Sequence, residues 1–110
     1  MSEGNVRGFI EKLPEKIMAD PGKISGMECV YQFNIDGDGG GRWFITIAEG
    51  AVSVEEGGAP DPSTVITMKD EDFLELVSGA LAPQMAFMMG KLKVAGDMGL
   101  ALKLGAFLQG

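Results

Sequence analysis

Histidine is absent from the 110 residues, and cysteine, tryptophan and tyrosine each occur once. Without histidine there is no Ser–His or Cys–His nucleophile pair and no histidine zinc ligand, and one cysteine cannot replace them. Cys29 alone cannot close an internal disulfide, which fits a reducing compartment. Cations are scarce as well: nine Lys and Arg stand against sixteen Asp and Glu, a net charge of −7. That balance argues against a protein that tracks nucleic-acid phosphates, so no nucleic-acid partner is expected. No apolar run is long enough to cross a bilayer. The first residues, MSEGNVRG, lack the basic-then-apolar order of a secretory signal, and Leu108-Gln109-Gly110 is not a peroxisomal address. A cytoplasmic protein is expected. The length predicts one domain over residues 1–110, with room for one core and a cavity beside it.

What the chain has in excess is flexible apolar surface near its end. Residues 83–107 read PQMAFMMGKLKVAGDMGLALKLGAF and hold four of the eight methionines. Pro83 suits the first turn of a helix, and Gly90 can take the left-handed position that ends one. Lys91, Leu92, Lys93 and Val94 then alternate with the period of a half-buried strand. Asp97 is a good N-cap for a helix from Met98 to Leu108, in which Lys103 is the only charge. A helix apolar nearly all round must be covered on several sides or face something apolar that is not protein.

Upstream, Val6, Phe9, Ile10, Leu13 and Ile17 recur at helical spacing, which predicts an amphipathic helix over residues 3–19, kinked or split at Pro14. Met27, Cys29, Tyr31, Phe33 and Ile35 mark one face of a strand. The turn Asp36–Gly41 leads to a second strand, Arg42–Ala48, with Trp43, Ile45 and Ile47 on one face. Glu49-Gly50 is a hairpin turn into Ala51–Glu55, and Thr64–Met68 follows. These four strands are read as an antiparallel meander. Asp70 is expected to cap a helix running to Ser78, with Phe73, Leu76, Val77 and Ala80 inward and Gly79 ending it. The strand over Lys91–Ala95 is expected to join the sheet by a crossover. The fold class is therefore α+β: a five-stranded mixed, mostly antiparallel sheet with helices on one face.

Most residues that invite a chemical reading have a plainer one. The glycine-rich Asp36–Gly41 opens a strand, whereas a phosphate loop opens a helix. A calcium loop counted from Asp36 would need an acid at Ile47. Helix capping accounts for Asp70, Glu71 and Asp72 without general acid–base work. A buried Cys29 behaves as a small hydrophobe. Lys91, Lys93 and Lys103 suit an anionic headgroup, but exposed lysines are ordinarily just solvated. Methionine in a helix is more often core filler than ligand surface; here the apolar helix faces exceed what one sheet can cover, and flexible residues suit a surface that reshapes itself.

The same stretch resembles the sterol carrier protein type 2 family of lipid-transfer domains. The matching residues are Pro83-Gln84, Ala86-Phe87 and, above all, Gly90-Lys91-Leu92-Lys93-Val94-Ala95-Gly96-Asp97-Met98-Gly99-Leu100-Ala101-Leu102-Lys103-Leu104. Thr67-Met68, Asp70, Asp72-Phe73, Gly79 and Tyr31-Gln32-Phe33 also fit, so the similarity runs from about Gly22 to the end. The resemblance implies an apolar tunnel between sheet and helices that holds a fatty acid, fatty acyl-CoA, phospholipid or sterol, with no catalytic residues, metal or cofactor. Carried onto this sequence, Trp43, Ile45 and Ile47 form the sheet wall of that tunnel. Facing them are Phe73, Leu76, Met85, Met88, Met89, Leu92 and Val94, then Met98, Leu102 and Phe107 from a lid helix hinged at Gly96 and Gly99. No residue selects a sterol over a straight chain, so a long acyl chain is the expected ligand.

The implied function is non-enzymatic lipid binding and transfer, by a monomer or weak dimer that touches membranes transiently when its lid is open. A competing reading is an interaction or auxiliary module that presents lipid substrates to a partner enzyme. A small lyase using a buried carboxylate would need Asp or Glu on the apolar sheet face, where the sequence places Met27, Cys29, Trp43 and Ile45.

Overall fold

In the computed structural model, which describes residues 6–19 and 21–109, the alternating stretch after the first helix is the centre of a five-stranded sheet. Side chains are described throughout these ranges except at Pro21, Lys23, Pro83 and residues 104–109. The chain runs α1 (Val6–Met18), β1 (Cys29–Asp36), β2 (Gly41–Ala48), β3 (Ala51–Glu56), β4 (Thr64–Lys69), α2 (Asp70–Ser78), α3 (Pro83–Met88), β5 (Lys93–Gly96) and α4 (Met98–Gln109). The strand order is β3-β2-β1-β4-β5.

The first three strands form the expected meander, with Phe33 opposite Trp43 and Ile45 opposite Val54. The fourth does not continue it. β4 returns beside β1 in parallel, with Tyr31 opposite Thr64 and Phe33 opposite Ile66, and β5 adds antiparallel to β4 with Ile66 opposite Val94. The mixed sheet stands, but its parallel step lies between β1 and β4 and not at β5. Alternation fixes which face of a strand is buried and leaves its neighbour open. The neighbour is settled by contacts in the β3–β4 loop. Ser63 N–H donates to the Val30 carbonyl at 2.9 Å, and Val30 N–H donates to Ser63 Oγ at 3.0 Å. The buried Gln32 amide donates to the Gly57 carbonyl and its oxygen accepts from Ala59 N–H at 2.6 Å, drawing the loop back across the sheet.

The helices occupy one sheet face. α1 lies over β2 and β3 and buries Val6, Ile10, Leu13 and Ile17. It runs unbroken through Pro14, which corrects the expected split. Proline removes one backbone donor and crowds the preceding turn, but the buried anchors on both sides of it hold the helix to the sheet. α2 buries Phe73 and Leu76, and Phe73 meets Phe9 and Phe33 edge-on at centroid distances of 5.9 and 6.2 Å. One aromatic triad therefore joins α1, α2 and β1.

The helix ends follow the sequence reading closely, with one correction. Gly79 and Gly90 both adopt left-handed backbone, at φ 90° and 78°, after α2 and α3. Asp97 Oδ1 accepts from Leu100 N–H at 3.1 Å at the start of α4. Asp70, however, is the first residue of α2 and not its N-cap, a position held by Lys69. Its carboxylate accepts from Glu71 N–H at 2.8 Å and reaches across to Gly39 N–H at 2.9 Å. Asp70 thus pins the glycine-rich β1–β2 turn to α2. A Cβ at Gly37 would strike that carboxylate, which gives the turn a packing reason for glycine.

Candidate functional site

Residues paired across a sheet share a face. One row on the helix-covered face reads Trp43, Phe33, Ile66, Val94 across four strands; the next reads Val54, Ile45, Tyr31, Thr64, Gly96 across all five. Along the first row Trp43, Phe33 and Ile66 are buried, whereas Val94 is only half-buried. The second row ends at Gly96, which has no side chain to contribute. Leu92, one residue before β5, packs half-buried on the core beside Val94. The inner face is therefore sealed at its centre and thins out at the β5 edge.

The residues expected to line a tunnel divide accordingly. Trp43, Ile45, Ile47, Phe73 and Leu76 come together in one closed core, with α1 and α2 over them. Leu92 and Val94 lie at its margin. Met85, Met88, Met89, Met98 and Leu102 are exposed, Met88 at 79% and Leu102 at 64%. Phe87, carried in the family resemblance but not in the predicted lining, is 47% exposed beside them. α3 is held instead by Ala86, which is fully buried. The side chain of Phe107 lies outside the described residues. Exposed single apolar residues are ordinary; six on or beside the two helices that flank one edge strand are not.

Sequence reasoning placed Tyr31 on a strand face and in the family match but did not foresee its tether to α4. Its ring is fully buried and its hydroxyl donates to the Leu100 carbonyl at 2.9 Å, tying the first turn of α4 to the central strand. A single tyrosine on an otherwise non-hydroxylic, buried strand face was the available signal, since a buried phenol needs a partner. Burial pushes the Tyr31 hydroxyl above its ordinary value of 10.0, reinforced by the neighbouring Cys29. Burial likewise raises the Cys29 thiol from 9.0, partly offset by its hydrogen bond with Tyr31. Both groups are acids held neutral by the fold, so the unfolded chain loses its protons first as pH rises. Stability is therefore fully present well below pH 9 and falls above it, most steeply above pH 10 once the unfolded tyrosine has ionised. Tyr31→Phe is expected to cost about 1 kcal/mol at pH 7 and to flatten the decline above pH 10, both readable from urea unfolding at pH 7–11. An unchanged alkaline slope would remove Tyr31 from that account.

A separate cleft of about 320 Å³ lies where β1 and β4 end, lined by Asp36, Thr67, Met68, Lys69, Glu71, Asp72, Gly90, Lys91 and Lys93. Its charged residues balance in sign, and Lys91 approaches Asp72 at 3.8 Å. Among the described residues, no group of three or more Cys, Asp or Glu is arranged to hold a metal ion. Among them too, no helix is long and apolar enough to cross a membrane.

A mixed five-stranded sheet covered on one face by helices is the fold of the sterol carrier protein 2 structures that this chain matches. The chain belongs to the SCP-2 sterol transfer family, whose model matches residues 10–109. It is 45% identical over 89 residues to hydroxysteroid dehydrogenase-like protein 2 of Xenopus tropicalis, covering 77% of this chain and 21% of that protein. It is 43% identical over 90 residues to peroxisomal multifunctional enzyme A of Dictyostelium discoideum, covering 80% and 20%. The chain thus spans about a fifth of the length of these curated relatives. Among solved structures, sterol carrier protein domain 2 of Helicoverpa armigera superposes with a TM-score of 0.80 at 34% identity, covering 99% of this chain and 90% of that one. Palmitated SCP2L2 from Aedes aegypti superposes with a TM-score of 0.66 at 28% identity, covering 92% and 95%.

Proposed function

We propose that this chain is a non-enzymatic lipid carrier that holds a long acyl chain between the β5 end of the sheet and helices α3 and α4. The observation that carries this reading is the half-covered inner face at Leu92 and Val94, beside exposed Met85, Met89, Met98 and Leu102. The palmitated relative from Aedes aegypti supports an acyl chain as the ligand. In this reading Leu92 and Val94 form the entrance, and α4 with Phe107 is the movable cover. Trp43, Ile45, Ile47, Phe73 and Leu76 form the packed core behind that site and hold the sheet in place beneath it. Gly96 and Gly99, which bracket the start of α4, let the cover swing once the Tyr31 hydrogen bond lets go.

Burying about 14 methylenes at ~0.8 kcal/mol each gives roughly 11 kcal/mol before ordering costs. None of that gain is directional, so broad selectivity among acyl chains follows, with no preference for sterols built in. All of residues 1–110 act as one such domain. Titration with a fluorescent fatty acid is expected to show saturable binding of one ligand per chain; failure to saturate would defeat the carrier reading.

A second reading is favoured by one observation: the curated relatives are about five times longer and carry enzyme names. On that reading the domain presents lipid to a catalytic partner. It predicts that transfer between vesicles is slow, and that an attached or added dehydrogenase turns over the loaded lipid faster than the free one.

A further inference from the structure

Sulfur is unevenly placed in this fold. The sulfur-bearing residues are eight Met and Cys29, and all but Met1 lie among the described residues. Met27, Met68 and Cys29 are buried, none more than 9% exposed. Met85, Met88, Met89 and Met98 are between 44% and 79% exposed, and Met18, the last residue of α1, is 39% exposed. Met85, Met88 and Met89 stand three and four residues apart, so they share one face at α3. Met98 opens α4 just after β5, so the four thioethers bracket the edge strand. We propose that Met85, Met88, Met89 and Met98 are a modification site that takes oxygen from a hydroperoxide and, once converted to sulfoxides, bars acyl cargo from the β5 entrance. The effect on cargo rests on the carrier reading; the modification itself does not.

The chemistry needs only the two reactants. A thioether sulfur attacks the terminal oxygen of R–O–O–H. The S–O bond forms as the O–O bond breaks, and the hydroperoxide proton passes to the leaving alkoxide. Sulfur is oxidised by two electrons to the sulfoxide, and the hydroperoxide is reduced to the alcohol R–OH. A thiolate ordinarily competes for such oxidants, but only as the deprotonated form and only where it is accessible. Cys29 is neither: it is buried, and burial holds its thiol above the ordinary 9.0. Oxidation follows exposure, which directs it to the methionines around β5. A sulfoxide is polar and keeps water, and an acyl chain laid across several of them would have to strip that water. Hydrogen peroxide and an oxidised acyl chain offer the same O–OH group. The acyl form, seated at β5, would meet these four sulfurs in preference to Met18.

The test treats the whole chain with hydrogen peroxide, tert-butyl hydroperoxide or linoleic acid hydroperoxide and locates each added oxygen by peptide mass spectrometry. With hydrogen peroxide, Met85, Met88, Met89 and Met98 are expected to oxidise about tenfold faster than Met27 and Met68, or more. Affinity for a fluorescent fatty acid, measured after the peroxide is removed, should fall by about tenfold or more. Methionine sulfoxide reductases should restore it. In the combined variant Met85→Leu, Met88→Leu, Met89→Leu and Met98→Leu, affinity before and after peroxide should agree within about twofold, whatever its starting value. Met18→Leu should lose affinity on oxidation as the parent does. The organic hydroperoxides separate the two sources. If bound cargo delivers the oxygen, linoleic acid hydroperoxide favours the four over Met18 by a larger factor than tert-butyl hydroperoxide does, and one hydroxy acid forms per sulfoxide. Equal factors assign the reaction to free peroxide. Oxidation of Met27 and Met68 as fast as the four, or sulfoxides at the four that leave affinity unchanged, would overturn the proposal. Absence of saturable binding by the unoxidised parent would instead defeat the carrier reading and the effect on cargo with it, while the order of oxidation still decides the modification site.

Discussion

Phe73→Ala is expected to lower the stability of the fold by about 3–5 kcal/mol, the range for removing a fully enclosed aromatic ring. Phe73 is fully buried and meets Phe9 of α1 and Phe33 of β1 edge-on, so its ring joins three elements at one point. The rings it meets, Phe9 and Phe33, are rigid and cannot reshape to refill the space. Urea unfolding reads the loss directly. Where the variant remains folded, its affinity for a fluorescent fatty acid should stay within about threefold of the parent. A stability loss below about 1 kcal/mol would mean that the ring faces open space and belongs to the ligand path, not to the core.

Val94→Asp makes the opposite prediction: a modest change in stability and a large loss of binding. Val94 faces the same side as Ile66 but is only half-buried, so a carboxylate there can keep part of its hydration in the empty protein. An acyl chain entering past β5 would strip that hydration, at a cost of about 2 kcal/mol or more. Fatty acid affinity is therefore expected to fall at least 30-fold. The thermal midpoint should move by only a few degrees. The neighbouring Lys93→Asp, on the opposite face, should leave affinity for an uncharged acyl ester nearly unchanged. If the two variants behave alike, the entrance is not at β5.

These predictions separate residues that the sequence groups together. Trp43, Ile45, Phe73 and Leu76 and the four methionines of the final stretch are all apolar; spacing places the first four inward, and the family resemblance sets the methionines facing them. Burial splits them, because α1 lies over β2 and β3 and closes that half of the sheet, while among the described residues nothing comparable covers α3. Local signals fared better. Gly79, Gly90, Pro83 and Asp97 each perform the terminal role their chemistry suits, since a cap depends on residues within one turn of it. Asp70 departs from this because its second oxygen finds Gly39, far away in sequence. Pro14 departs because distant packing outweighs a local defect.

Composition and pattern alone determined the class of this protein. Absent histidine and a single cysteine removed the common catalytic groups, and two periodicities laid out nearly every helix and strand. The motif from Gly90 to Leu104 carried the family. Tertiary structure decided the parallel pairing of β1 with β4, the tether from Tyr31 to α4, and which apolar residues are core and which are surface. The division has one cause. Spacing along a chain records which way each side chain points, whereas what it meets there depends on elements brought from elsewhere by the folded backbone.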